Sequence, residues 1–432
     1  MTGGRRGAGR PLAPGAARRA RATPLAAALV VAALLLVAAL VACKGGNAIE
    51  AGLRADATFD ASTLPPDARV WYDRFWTALR APGIYPNSLE AAATGDLYQI
   101  GRVVNVHVST LLQVFRLTGD LALLDEVDKP MQVARSTLRD TNGDGYLNWT
   151  WLHDPDNSQW YGDDYHTMDE DMTHGLVAAV AWAYQQNRDQ VSPGGVDYAE
   201  RADFWLSYLK DDFEPKWRAR SRTTGYDYLY TELMHPYLQT VRYFHYMGLL
   251  TGDDGYTAEA QSLADALKDE FLAEPTDSGP AFVWGQGIQG EDSYVHYFQP
   301  TIYAAYTVQT VLELASEGME PFASTEFLTR LARGIATFVI DNGATDFAVD
   351  VGGQRPFADL AAAPLPPHDP GYDRLTSAQW GIMPFGSLAP FDASGKVAEV
   401  SAAVYAALER GQPPRRIYLP AASFISALLE GR

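Results

Sequence analysis

The sequence predicts an all-α fold, a closed (α/α)6 or (α/α)7 toroid in which six or seven helical hairpins form a ring with long loops over one mouth. Three observations predict it. Apolar residues recur at the helical period along most of the chain, and strand-like alternation is scarce. Tight turns fall near positions 119, 188, 252 and 318, about 69, 64 and 66 residues apart, which marks a structural repeat. The connecting loops 140–166, 218–231, 276–293 and 344–375 are long, aromatic and rich in Gly and Asp, and loops of that kind cluster over one mouth and build a cleft.

The elements follow in order. Residues 66–81 and 98–117 carry the first two amphipathic patterns, and a third helix is expected over about 121–139. Between the last two, Leu117-Thr118-Gly119-Asp120 reads as a helix stop followed by an Asp cap. The same unit recurs as 168–187 with 197–213, then 232–250 with 256–273 around Thr251-Gly252-Asp253, then 294–316 with 324–342. In each pair one helix is apolar and rich in Ala and Tyr, which suits the inside of the ring, and its partner is more charged. A small β segment is expected, if anywhere, in 344–390 or at the C-terminus.

The first 42 residues lie outside this pattern. Arg5, Arg6, Arg10, Arg18, Arg19 and Arg21 stand without an acid, and Leu25 to Ala42 is an unbroken apolar run. A basic segment, an apolar segment and a small-residue cleavage site make a secretory signal over 1–42. Eighteen apolar residues also reach the length of a bare membrane span. Leu40-Val41-Ala42-Cys43 resembles the bacterial lipobox, which implies lipidation of Cys43 and a membrane-anchored lipoprotein at the outer membrane, in the periplasm or on the cell surface. Residues 43–64 then form a tether, and 65–432 the catalytic domain. Cys43 is the only cysteine, so disulfides, thiolate metal sites and a Cys nucleophile are excluded.

Charge narrows the partners. The chain is −19 overall, and without the six signal arginines it has 28 basic against 53 acidic residues, or −25. Such a surface does not bind nucleic acid by counterion release. Ten Trp and 23 Tyr cluster in part beside Asp, Asn and Gly, an arrangement suited to stacking on sugar rings. Trp149, Trp151, Trp160 and Tyr161 form the expected stacking wall, with His296 and Arg102 as further substrate contacts. A polysaccharide is the expected partner of a monomeric protein.

His174, His235 and His296 each sit near the start of an expected inner helix, and His107 lies two turns into its own. In a ring these starts share one rim. Asn105 precedes His107, and Arg242 follows His235 by two turns. Tyr294 and Tyr297 flank His296. Asn, His, Arg and Tyr together suit β-elimination at a uronic acid: the C5 proton becomes acidic only when the neighbouring carboxylate is neutralised, and a phenol or imidazole then moves the proton.

This layout resembles the (α/α)-toroid polysaccharide lyases, the class of the alginate and glucuronan lyases, over most of 65–430, through short motifs. The resemblance implies His235 and Arg242 as carboxylate neutralisers. It implies Tyr294 or Tyr297 as the acid/base residue, with Asn105 and His174 in support and no cofactor required.

Two rival functions stay open. Asp163, Asp164, Asp169, Glu170, Asp171, Glu232, Glu291 and Asp292 crowd the same rim, where helix dipoles favour acids. A toroidal glycoside hydrolase would pair Asp169 or Asp171 with Glu232 or Asp292. Net charge favours it, because a lyase needs a local basic patch from Arg102, Arg242, Arg355 or Arg374. A non-catalytic glycan-binding lipoprotein is the other rival. For metals, Asp140, Asn142, Asp144 and Tyr146 resemble the first positions of an EF-hand loop, which implies structural calcium, although Trp151 stands where the bidentate Glu would be. Zinc through His166, Asp169, Asp171 and His174 is a weaker alternative.

Overall fold

Helices dominate the computed structural model, which describes residues 53–56, 59–81, 84–156, 160–164, 166–220, 231–288, 297–340, 347–348, 350–353, 382–410 and 418–430. These belong to one unit spanning Gly46–Arg432. Cys43, Glu291, Asp292, Tyr294, His296, Arg355, Arg374 and His368 lie outside the described residues.

The first helices are α1 (Pro66–Leu79), α2 (Ile84–Ala93), α3 (Asn105–Thr118) and α4 (Leu121–Arg135). A π-helical turn, Ile100–Val104, leads into α3. The stop between α3 and α4 is the expected one. Gly119 takes φ 71° as a left-handed cap, and Asp120 caps the next helix by accepting from Ala122 N at 3.0 Å. The repeat follows with α5 (Thr167–Gln186), α6 (Tyr198–Tyr208) and α7 (Glu214–Arg220), then α8 (Met234–Thr251) and α9 (Asp254–Lys268) around a second Gly252-Asp253 stop. After β1 (Phe271–Glu274) and β2 (Ala281–Trp284) come α10 (Thr301–Ser316), α11 (Thr325–Gly334), α12 (382–387), α13 (Lys396–Arg410) and α14 (Tyr418–Leu429).

The apolar helices are buried all round. In α5 every residue from Asp169 to Ala181 is buried, as a helix enclosed by others must be. It packs on α3 at one side and α8 at the other. Gly175 permits the second contact, because a Cβ there would lie 2.6 Å from the Gln239 carbonyl oxygen. Further along, α8 packs on α10, and α14 packs on α3, α1 and α13. The short α12 approaches α14 at Gly386, where a Cβ would meet Ser423 at 2.6 Å. Met383 and Pro384 of α12 line one small cavity with Ile302 and Ala305 of α10.

Two expectations need correction. The helix expected over 294–316 begins at Thr301, because Pro300 occupies its N-cap and a proline has no N–H to continue a helix from behind. Tyr297 is instead in a bend and Phe298 bridges to Gly285: Gln286 N donates to the Tyr297 carbonyl at 2.7 Å. The strand pair also lies earlier than expected. Phe271–Glu274 runs antiparallel to Ala281–Trp284, where Ala-Phe-Val-Trp has β propensity and Thr276 to Gly279 make the turn.

Candidate active site

Four leading ends meet at one place: the turn before α3, the loop before α5, and the first turns of α8 and α10. Arg102 is at the centre, 7 % exposed. The π turn carries it, and Gly101 beside it allows contact with α5, since a Cβ there would come within 3.0 Å of Thr173 Oγ1. Arg102 Nε donates to Asp169 Oδ1 at 3.2 Å. Its Nη1 lies 3.5 Å from His235 Nε2, and its Nη2 lies 3.4 Å from the Met168 sulfur. The rings of Tyr98, Tyr303 and Tyr306 each lie 5.6 Å from the guanidinium carbon, within cation–π range.

His235 stacks on Tyr303 with ring centres 4.7 Å apart and planes 11° from parallel. Its Nδ1 is buried and meets no hydrogen-bond partner among the described residues. Burial, and then the charge of Arg102, push its pKa well below the usual histidine value, so the ring is neutral at neutral pH.

Asp169 ties the site together. It is fully buried and also accepts from the Trp151 indole N–H at 2.8 Å. His166 Nδ1 lies 3.0 Å from the same carboxylate. Burial alone would raise the pKa of Asp169. Arg102, His166 and Trp151 overcome this and hold it down at about 2. Asp96 behaves oppositely: burial, helped by the charge of Asp169, raises its pKa although it accepts from Leu152 N and Tyr98 N.

An aromatic wall runs outward from this centre. Tyr98 stacks on His153 at 3.7 Å, Trp151 meets His153 edge-on at 5.7 Å, and Trp151 stacks on His166 at 4.8 Å. Trp160 closes the row edge-on to His166 at 4.9 Å. Its outer end is open: Trp160 is 38 % exposed, and Tyr161, next to it in sequence, is 48 % exposed.

Sequence reasoning placed Arg102, His235, Trp151, Trp160 and Tyr161 in functional roles, and the structure brings the first four together in this cluster. It places others elsewhere. Arg242 holds both oxygens of Glu313, at 2.9 and 2.8 Å, and is 1 % exposed. Asn105 joins the same buried network, donating to the Met172 carbonyl at 2.8 Å and accepting from Ser109 at 2.9 Å. Neither has capacity left for a substrate. His174 belongs to a second buried network: Nδ1 meets the Glu170 carbonyl and Nε2 meets the Tyr208 hydroxyl, each at 2.8 Å, with the ring against Phe213 at 3.6 Å. Lys216 Nζ donates to Glu170 there at 3.0 Å. Trp149 is fully buried, its indole donating to the Ala134 carbonyl at 2.9 Å, so it is a core residue and no stacking surface. Tyr297 lies in the bend ahead of α10.

The reasoning missed Tyr98, His153, Tyr303 and Tyr306, and it placed His166 only in the zinc set. Pro300 was the available signal for two of them: with the helix started there, Tyr303 and Tyr306 fall in its first turns, as His235 does in its own.

The metal readings fare differently from the aromatic ones. The loop 140–146 is exposed and built around its own side chains. Asp140 accepts from Asp144 N at 3.1 Å and Gly145 N at 3.0 Å, Asp144 accepts from Tyr146 N at 3.3 Å, and Asn142 donates to Asp164. The proposed zinc set does not converge, since His174 turns to Tyr208 while Asp171 turns to Thr240. Among the described residues no group of three or more His, Cys, Asp or Glu is arranged to hold a metal ion. Nor is any described helix long and apolar enough to cross a membrane.

No family model, curated protein or solved structure matches this chain.

Proposed function

We propose that this chain is an exported, Cys43-anchored lipoprotein that cleaves a uronic-acid-containing polysaccharide, of the alginate or glucuronan type, by β-elimination. The observation that carries the reading is the Arg102–His235–Tyr303 column beside an open aromatic wall.

The architecture proposed with it is an (α/α)6 toroid. Its support is the sequence of neighbours, α3 to α5 to α8 to α10 to α12 to α14 and back to α3. In such a ring the leading ends of the inner helices surround one mouth, and the aromatic wall borders it.

The chemistry follows from the donors. Asp169 takes only the Nε of Arg102. The two Nη groups face a neutral imidazole and a thioether, both weaker acceptors than a carboxylate. A uronate carboxylate would claim them, losing charge repulsion against the enolate-like intermediate at C5. The base takes the C5 proton, the C4–O4 bond breaks as the C4–C5 double bond forms, and the departing oxygen takes a proton. Tyr303 is the phenol nearest this pair in the described residues, and Tyr294 and Tyr297 are its rivals from sequence. Trp160 and Tyr161, the exposed rings beside Trp151, would carry neighbouring sugars.

Incubation with polymannuronate, polyguluronate and glucuronan tests the reading. A rise in absorbance near 235 nm, from the unsaturated uronate, is expected with at least one. Reducing ends without that absorbance would overturn it in favour of hydrolysis, and binding without turnover would leave a glycan-binding lipoprotein.

Hydrolysis is the second reading, and one observation favours it. Asp96 and Asp169 adjoin the same wall with their pKa values pushed in opposite directions, as an acid and a base or nucleophile require. Of the pairs drawn from sequence, those with Asp171 fit less well, because it is buried against Thr240, and Asp292 lies outside the described residues.

A further inference from the structure

We infer that Asp169 is the positioning residue of this site: one buried carboxylate sets the aim of Arg102 and the tilt of the Trp151–His166 wall together, coupling carboxylate recognition to ring stacking. The inference rests on the glycan-site reading above and deepens it.

Three groups from separate segments converge on this carboxylate. Arg102 comes from the π turn before α3, Trp151 from the loop after α4, and His166 from the residue preceding α5. Asp169 itself stands in the first turn of α5 and is fully buried. A carboxylate at a helix N-terminus is favoured by the dipole, but that explains neither the indole nor the guanidinium. Its Oδ1 is spent on Arg102 and its Oδ2 on Trp151, so moving one partner moves the oxygen that holds the other.

The neighbouring acids do nothing comparable. Glu170 faces Lys216 and Asn148, away from Arg102. Asp171 faces Thr240. Of the three consecutive acids, only Asp169 touches groups of the site. A substrate that draws Arg102 toward its carboxylate would therefore pull on Asp169 and reorient the Trp151 indole. The site then distinguishes acidic from neutral saccharides by more than charge: a neutral chain meets the wall in its resting tilt.

The test uses the soluble mature chain and two readouts. Tryptophan emission and its quenching by acrylamide report the wall without ligand. Titration with a mannuronate or glucuronate trisaccharide reports affinity. Asp169→Asn keeps the shape and removes the charge. It should shift the emission and weaken uronate binding at least tenfold, with binding of a neutral trisaccharide changed less. Arg102→Lys should weaken uronate binding similarly and, by releasing the oxygen that Arg102 holds, shift the emission in the same direction but less than Asp169→Asn. Asp169→Glu, which keeps the charge on a longer arm, should shift the emission and weaken uronate binding by a smaller factor, and it serves if the Asn variant fails to fold. Emission within experimental error of wild type in a folded Asp169 variant, or uronate affinity within twofold, overturns the inference. If the wild-type chain binds no uronate, the functional reading fails while the emission of the variants still reports whether Asp169 sets the wall.

Discussion

Arg242 and Glu313 form a two-pronged ion pair between α8 and α10, with Nε to Oε1 at 2.9 Å and Nη2 to Oε2 at 2.8 Å. The pair is shared: the Tyr246 hydroxyl donates to Glu313 at 2.8 Å, and Arg242 also reaches Gln239 and Ser109, each at 3.2 Å. Arg116 continues the network to Tyr246 and Glu317, each at 2.9 Å. Its place is structural. Arg242→Met should destabilise the fold by about 3–5 kcal/mol, because Glu313 is left buried without its partner, whereas Arg242→Met with Glu313→Leu should cost much less. Urea unfolding of both variants checks this, and equal destabilisation would refute it.

Two tryptophans eleven residues apart, Trp149 and Trp160, should answer differently to the same substitution. Trp149→Ala empties a fully buried site and should cost about 3–5 kcal/mol of stability. Trp160→Ala, at 38 % exposure, should change stability by less than about 0.5 kcal/mol. It should instead weaken polysaccharide binding by roughly fivefold to tenfold, equivalent to about 1 kcal/mol. Affinity electrophoresis in gels containing alginate reads the second effect directly.

His107 should make the fold sensitive to acid. It is buried beside the Tyr418 hydroxyl at 3.2 Å, and burial pushes its pKa down to about 4. The unfolded chain takes up this proton near pH 6.5, whereas the folded chain resists it. The contribution of His107 is therefore constant above pH 6.5 and is lost as pH falls from there to about 4, amounting to about 3 kcal/mol at the bottom of that window. The stability difference between the wild type and His107→Gln should shrink over the same interval. A difference independent of pH would show that His107 is not buried in its neutral form.

Tyr303→Phe should reduce turnover by at least about a hundredfold if the phenol moves the proton, with little change in uronate affinity because the ring stacked on His235 remains. Parallel Tyr294→Phe and Tyr297→Phe variants decide among the three phenols.

Much of the fold was legible because its determinants are local. The Gly119-Asp120 and Gly252-Asp253 stops are short-range chemistry, and the contrast between apolar and charged helices is a period in the sequence. The site was legible only in part. Arg242 and Asn105 looked functional because polar residues on an inner helix are conspicuous. Nothing nearby in sequence discloses that Glu313, 71 positions away, already occupies Arg242. Trp149 and Trp151 are two residues apart in one aromatic loop, yet one donates into the core and the other to Asp169. Residues two apart in an extended chain would share a face, so the irregular path of the loop decided between them, and a loop gives no period from which to read it.

The π turn at Ile100–Val104 holds one residue more than the α turn it replaces. Deleting Val103 would let an ordinary helix run straight into α3. Only the residues inside the turn would then shift, Arg102 by one position or about 100° around the axis, which takes it out of line with Asp169 and His235. The helix behind, with Asn105 and Ser109 still seated, would keep its register. Such a variant should retain its circular dichroism and lose its hold on uronates, so that one surplus peptide unit separates an inert scaffold from a working one.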